Sequence, residues 1–139
     1  MTTIMWLSRH PPIPRQLAEL QRVFPQHKLI LDNRTFAGAD DIVARFHAAK
    51  ADEMVLVAPF TIVHQLVKRG LHPIWAELKL VPCRSRRSEV RLRTSRGNRC
   101  YQFKGFHRID NVRVDLSPLT PAPTSARSSR RMGESNIVW

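Results

Sequence analysis

Three short apolar runs separated by helical periods constrain this chain more than any other feature. Ile4-Met5-Trp6-Leu7, Leu29-Ile30-Leu31 and Met54-Val55-Leu56-Val57-Ala58 have strand length and little polar alternation. Parallel strands buried on both faces read this way. Between and after them lie Ile13, Leu17, Leu20 and Phe24, then Ile42, Val43 and Phe46, then Ile62, Val63, Leu66 and Val67. Each set makes one apolar stripe on a helix. Lys68-Arg69-Gly70 closes the third helix, with cations in the last turn and a glycine suited to the left-handed position beyond it. A fourth strand follows, with Ile74, Ala76, Leu78 and Leu80 on one face and Trp75, Glu77 and Lys79 on the other. The order β-α-β-α-β-α-β predicts an α/β fold: a small Rossmann-like or flavodoxin-like parallel sheet with right-handed crossovers and helices on both faces.

After Pro82 the pattern changes. Val90 and Leu92 alternate with Arg91 and Arg93, a turn follows at Ser95-Arg96-Gly97-Asn98, and Cys100 to Phe103 return. This is a C-terminal β-hairpin extension. Val112, Val114 and Leu116 alternate once more and predict a further strand. From Ser117 on, Pro, Ser and Arg dominate, and such a segment buries too little apolar surface to offset its ordering entropy. The expected organisation is one domain over 1–116, with the basic hairpin 84–108 appended. A flexible tail over 117–139 follows, with Ile137-Val138-Trp139 as a docking end.

With 139 residues, one hydrophobic core is expected. No apolar run approaches the roughly 18 residues of a membrane span. The opening segment has no basic region and too short an apolar stretch for a signal peptide, so cytoplasm is the expected location. Cys83 and Cys100 form no CxxC pair, which argues against a disulfide scaffold and a structural zinc site; they read as half-buried small residues. The net charge is +12 and uneven: residues 1–82 carry ten Lys/Arg against seven Asp/Glu, residues 83–139 thirteen against four. Such density attracts polyanions by counterion release, or serves only as a solvated basic surface.

In open parallel sheets, ligands sit beyond the carboxyl ends of the strands, where strand order reverses. Three loops fall there: Ser8-Arg9-His10-Pro11-Pro12, Asp32-Asn33-Arg34-Thr35 and Ala58-Pro59-Phe60-Thr61. With strand order 2-1-3-4, the first and third are neighbours. Ser8, Arg9 and His10 combine a hydroxyl, a fixed cation and a group that exchanges a proton near neutral pH. The plainer alternative makes Ser8 a helix cap, Arg9 a solvated cation and His10 a turn residue. Thr61 either caps backbone N–H groups or helps hold a phosphate, with Asn33, Arg34, Pro59 and Phe60 completing the candidate ligand site.

Neither a dinucleotide fingerprint nor a P-loop is present. Asp32, Asp40, Asp41 and Glu77 are scattered, and His47, His64, His72 and His107 stand singly. No metal and no cofactor are therefore expected. The hairpin sets Arg86, Arg87, Arg91, Arg93, Arg96, Arg99 and Lys104 among Tyr101, Phe103 and Phe106. Cations for phosphates and rings for base stacking are what a single-strand binder needs; a solvated strand face over a small core is the alternative.

The opening I-M-W-L-S-R-H-P-P and the later V-A-P-F-T-I-V-H-Q-L-V-K-R-G-L-H-P-I-W-A-E-L-K-L-V-P resemble a family of small accessory proteins of type III CRISPR loci. The match falls on Arg9, His10, Pro11, Pro59, Arg69, Gly70, Trp75 and Pro82. The chain departs from that pattern at Ser8, at Pro12, in a longer middle section and in the basic hairpin and tail. The resemblance implies a Rossmann-like homodimer that binds cyclic oligoadenylate and, as in ring nucleases, cleaves it. Arg9, His10 and Ser8 are then the catalytic set. Two other readings stand beside it: a non-enzymatic RNA- or DNA-binding module acting through residues 84–108, and an interaction protein of a mobile element docking through its tail.

Overall fold

The computed structural model describes residues 1–121. Its elements are β1 (Thr2–Leu7), α1 (Pro14–Val23), β2 (His27–Asp32), α2 (Ala39–Ala48), β3 (Glu53–Leu56), α3 (Phe60–Lys68), β4 (Ile74–Val81), β5 (Val90–Thr94) and β6 (Gly97–Arg108). They build an α/β fold around one six-stranded sheet in the order β2-β1-β3-β4-β6-β5. The β1–β2, β1–β3 and β3–β4 pairs are parallel, whereas β4–β6 and β5–β6 are antiparallel. The sheet is therefore mixed, which corrects the expectation of a parallel sheet with a hairpin merely appended. The hairpin joins the sheet because β4 is long and would otherwise present an open edge; β6 pairs with it from Ile74 to Val81 and covers that edge.

β1 explains why apolar runs without alternation mark buried strands. Ile4 and Trp6 face one side with Leu20, Val55 and Ile74, beneath α1. Met5 and Leu7 face the other with Ile42, Met54, Leu56, Val63 and Leu66, beneath α2 and α3. The distribution of helices follows from right-handed crossovers: β1 to β2 runs one way along the sheet, and β2 to β3 and β3 to β4 run the other. One stripe differs from expectation. In α1 Leu17 is 42% exposed while Gln16 is buried, because the Gln16 side-chain oxygen accepts the Ile13 N–H at the helix start and draws position 16 inward.

Helix α3 ends as its sequence predicts. Gly70 takes φ +83°, its N–H donates to the Val67 carbonyl, and the Leu71 N–H donates to that of Leu66. This is the Schellman arrangement. Helix α2 closes the same way with Lys50 at φ +53°. In β6 the register against β4 slips between Glu77 and Leu78, leaving Lys104 as an extra residue.

The further strand expected at Val112, Val114 and Leu116 does not form. After Arg108 the chain leaves the sheet, the Ile109 N–H donates to the Pro73 carbonyl, and Ile109 and Val112 pack on the α2–α3 side of the core. Alternation alone makes no strand when no sheet edge lies beside it. The expected tail falls outside the described residues from 122 onward, including Ile137-Val138-Trp139, and 117–121 have no regular structure.

Candidate functional site

The parallel strands end flush. Leu7 stands opposite both Asp32 and Leu56, so the three candidate loops leave the sheet at one level. The β1–β3 ladder continues past the strands, with the Val57 N–H donating to the Leu7 carbonyl at 3.2 Å. The first and third loops are thereby neighbours, as the strand order 2-1-3-4 requires.

The first loop is held from below. The Trp6 indole N–H donates to the His10 carbonyl at 2.8 Å, and the Ser8 hydroxyl accepts the His10 backbone N–H at 3.1 Å. Ser8 keeps its own proton for donation. Arg9 and His10 are exposed, and neither forms an ion pair among the described residues. The backbone of the turn is fixed while its two chemical side chains stay free. Beside it, α3 begins after Pro59 with no side-chain cap; the Ile62 and Val63 N–H groups are taken by the Pro59 carbonyl. Phe60 and Thr61 are exposed at this start. The first N–H groups of such a helix and its dipole favour an anion.

The second loop is organised differently from expectation. Asp32 is buried and accepts two hydrogen bonds from the Arg34 guanidinium, at 3.0 and 2.8 Å, and one from the Arg34 backbone N–H. The Arg34 guanidinium hydrogen bonds, ahead of its backbone N–H and the charge of Arg45, lower the Asp32 carboxyl to about 2 against the opposing effect of burial. Arg34 is correspondingly raised by Asp32. Arg45 pairs with Asp41 and reaches the carbonyls of Arg34 and Thr35. Arg34 is thus bound into a loop-building network rather than standing free for a ligand; Asn33 beside it is exposed. Asp32 and Asp41, scattered in the sequence, are drawn together through Arg34 and Arg45. The available signals were the i,i+4 spacing of Asp41 and Arg45 and the two-residue step from Asp32 to Arg34.

In the hairpin the cations and the rings part company. Arg86, Arg87, Arg91, Arg93, Arg96, Arg99 and Lys104 are exposed, and none is in an ion pair among the described residues. Tyr101 and Phe103 are buried, at 4% and 2% exposure. Phe103 packs on Phe106 with ring centroids 4.9 Å apart, beneath the Arg15 guanidinium. Of the two readings of these rings, base stacking or a small core, the burial of Tyr101 and Phe103 and the partial burial of Phe106 beside α1 favour the core.

Cys83 and Cys100 form a disulfide with Cα atoms 5.0 Å apart, which corrects their reading as unlinked small residues. Val81 pairs with Cys100 across β4 and β6, so Cys83 two residues on returns to it. That proximity is a property of strand register, invisible in the spacing. The bridge borders a shallow concavity of about 400 Å³ lined by Leu80, Val81, Pro82, Cys83, Asn98, Arg99 and Cys100. A second, of about 170 Å³, lies between α1 and Phe106, His107 and Arg108. Neither includes a residue of the three rim loops. Among the described residues no group of three His, Cys, Asp or Glu is gathered as for a metal ion, and no helix is long and apolar enough to cross a membrane.

No protein-family model, no curated protein and no solved structure matches this chain.

Proposed function

We propose that this chain is a Rossmann-like nucleotide-binding protein that takes a cyclic oligoadenylate at the carboxyl rim of its parallel strands, and cleaves it without metal. The observation that carries the reading is that the Ser8-Arg9-His10 turn and the loop opening the uncapped start of α3 leave adjacent, paired strands at one level, where strand order reverses. That junction offers a guanidinium, an imidazole, a hydroxyl and helix N–H groups to one phosphodiester. The resemblance of the S-R-H-P-P turn to type III CRISPR accessory proteins supports the ligand class. The rim is open on a single chain, and a homodimer with two rims facing its axis would enclose a symmetric ring.

In the chemistry we assign, the ribose 2′-oxygen attacks the adjacent phosphorus, the bond from phosphorus to the 5′-oxygen breaks, and a 2′,3′-cyclic phosphate and a free 5′-hydroxyl result. Arg9 stabilises the charge on the pentacoordinate phosphorus, His10 moves the proton, and Ser8 and Thr61 orient phosphate oxygens. Incubation with cyclic tri-, tetra- and hexa-adenylate in EDTA tests it. Linear products ending in a cyclic phosphate are expected. Intact rings that also fail to bind by calorimetry overturn the reading, and binding without turnover removes the catalytic roles.

A further inference from the structure

The β5–β6 hairpin is longer than the sheet it joins. Val81, the last residue of β4, pairs with Cys100, so Gly97, Asn98 and Arg99 have no partner in β4. They pair only with β5, through Thr94↔Gly97, Arg93↔Asn98 and Leu92↔Arg99. The segment from Leu92 to Arg99 is therefore a two-stranded ribbon overhanging the end of the sheet. Its root is fastened by the disulfide from Cys100 to Cys83. Its turn is shaped by Gly97 at φ +112°, and the Thr94 hydroxyl donates to the Gly97 carbonyl.

The ribbon is charged in one sense throughout. From Val90 to Ile109 the sequence contains no Asp or Glu. Cross-strand pairing puts Arg93 on one face, with Arg91 at the ribbon's root beside it, and Arg99 with Leu92 on the other, with Arg96 in the turn between. All four arginines are exposed. Cations on both faces and at the tip suit a partner that surrounds the ribbon with anions, not one that meets it on a single plane. An anionic bilayer is such a plane. A single strand held by stacking needs exposed rings, and Tyr101 and Phe103 are buried.

We infer that the overhanging ribbon is a binding element for duplex DNA, entering the major groove and contacting phosphates on both walls. Strands in the ribbon lie about 4.8 Å apart, and a major groove of about 12 Å admits a two-stranded ribbon. The deep, narrow major groove of A-form RNA does not. Because the contacts are charges to phosphate, binding is sequence-independent and strongly salt-dependent. This inference is independent of the cyclic-nucleotide reading, which uses the opposite part of the sheet order.

The test is titration of the full chain against a short fluorescent DNA duplex across a salt series. The single strand of the same sequence, the matching RNA duplex and phosphatidylserine vesicles serve as competitors. A plot of log affinity against log salt is expected to have a slope of about −3 to −4, for four phosphates neutralised. R93A/R96A is expected to reduce the slope by about two and to weaken binding about 10-fold or more. R93K/R96K is expected to keep the slope, since phosphate contact needs only the charge. Unchanged thermal unfolding of both variants establishes that the fold is not what was lost. Duplex binding unaffected by R93A/R96A overturns the inference, as does tighter competition by single strand, RNA duplex or vesicles.

Discussion

The Trp6 indole N–H donates to the His10 carbonyl at 2.8 Å and so ties the turn after β1 to the core beneath it. The same ring meets Phe106 edge to face at 6.2 Å. A buried aromatic on the α1 side of the sheet therefore sets the backbone of the candidate site, while Arg9 and His10 project from it.

Trp6→Phe tests that tie. Phenylalanine keeps an aromatic ring against Phe106 but removes the donor and leaves part of the indole volume empty. We expect a loss of about 1–3 kcal/mol in urea unfolding, together with weaker binding of cyclic adenylate. A variant as stable as the parent would show that the hydrogen bond contributes nothing to holding the turn.

The Asp32 carboxyl links stability to acid. Its pKa is about 2 when folded, against an ordinary 3.8, so its contribution is complete above about pH 4. It is lost as pH falls toward 2. Arg34 is largely exposed, and solvent screening holds the effect to about 1 kcal/mol. Urea midpoints measured from pH 5 to pH 2 should show this loss in the parent. They should show less of it in Asp32→Asn, which starts less stable; equal acid sensitivity in the two would contradict the assignment.

Lys50 closes α2 in a conformation that glycine adopts freely, at φ +53°. A side chain there costs about 1–2 kcal/mol, partly offset in the unfolded chain by the freedom a glycine adds. Lys50→Gly is expected to stabilise the protein by about 0.5–1 kcal/mol, read as a higher thermal midpoint. A lower midpoint would mean that the Lys50 side chain makes a contribution of its own.

The disulfide spans a sequence separation of 17 residues, for which loop closure corresponds to about 3 kcal/mol. In an oxidising compartment the two cysteines stand as the bridge; in a reducing cytosol they stand as thiols. C83A/C100A, and the parent in dithiothreitol, should both unfold earlier by about 2–4 kcal/mol. The variant itself should be indifferent to the reductant. A parent equally stable with and without reductant would show that the bridge does not constrain the chain.

Elements whose cause is local were legible in the sequence. The runs at Ile4 and Met54 are strands buried on both faces, the run at Leu29 pairs as the edge strand with Leu31 57% exposed, and Lys68-Arg69-Gly70 ends α3 through glycine's own backbone freedom. What escaped reading depends on register and partner. Cys83 meets Cys100 only because Val81 pairs with it, and Tyr101 is buried only because β6 lies beside β4. Arg34 looked free because nothing in its neighbours' types says that Asp32 is turned inward to receive it. At the rim, residue types and adjacency followed from strand order, while the indole bond under His10 required the turn to be seen folded back.

Arg9→Ala is the most direct measurement. Its side chain is exposed and forms no ion pair among the described residues, so the fold should be unaffected. With cyclic oligoadenylate in EDTA, the variant is expected to lose turnover by about 10²–10³-fold, the usual effect of removing one group that stabilises transition-state charge. Cleavage by Arg9→Ala at the rate of the parent would contradict the account.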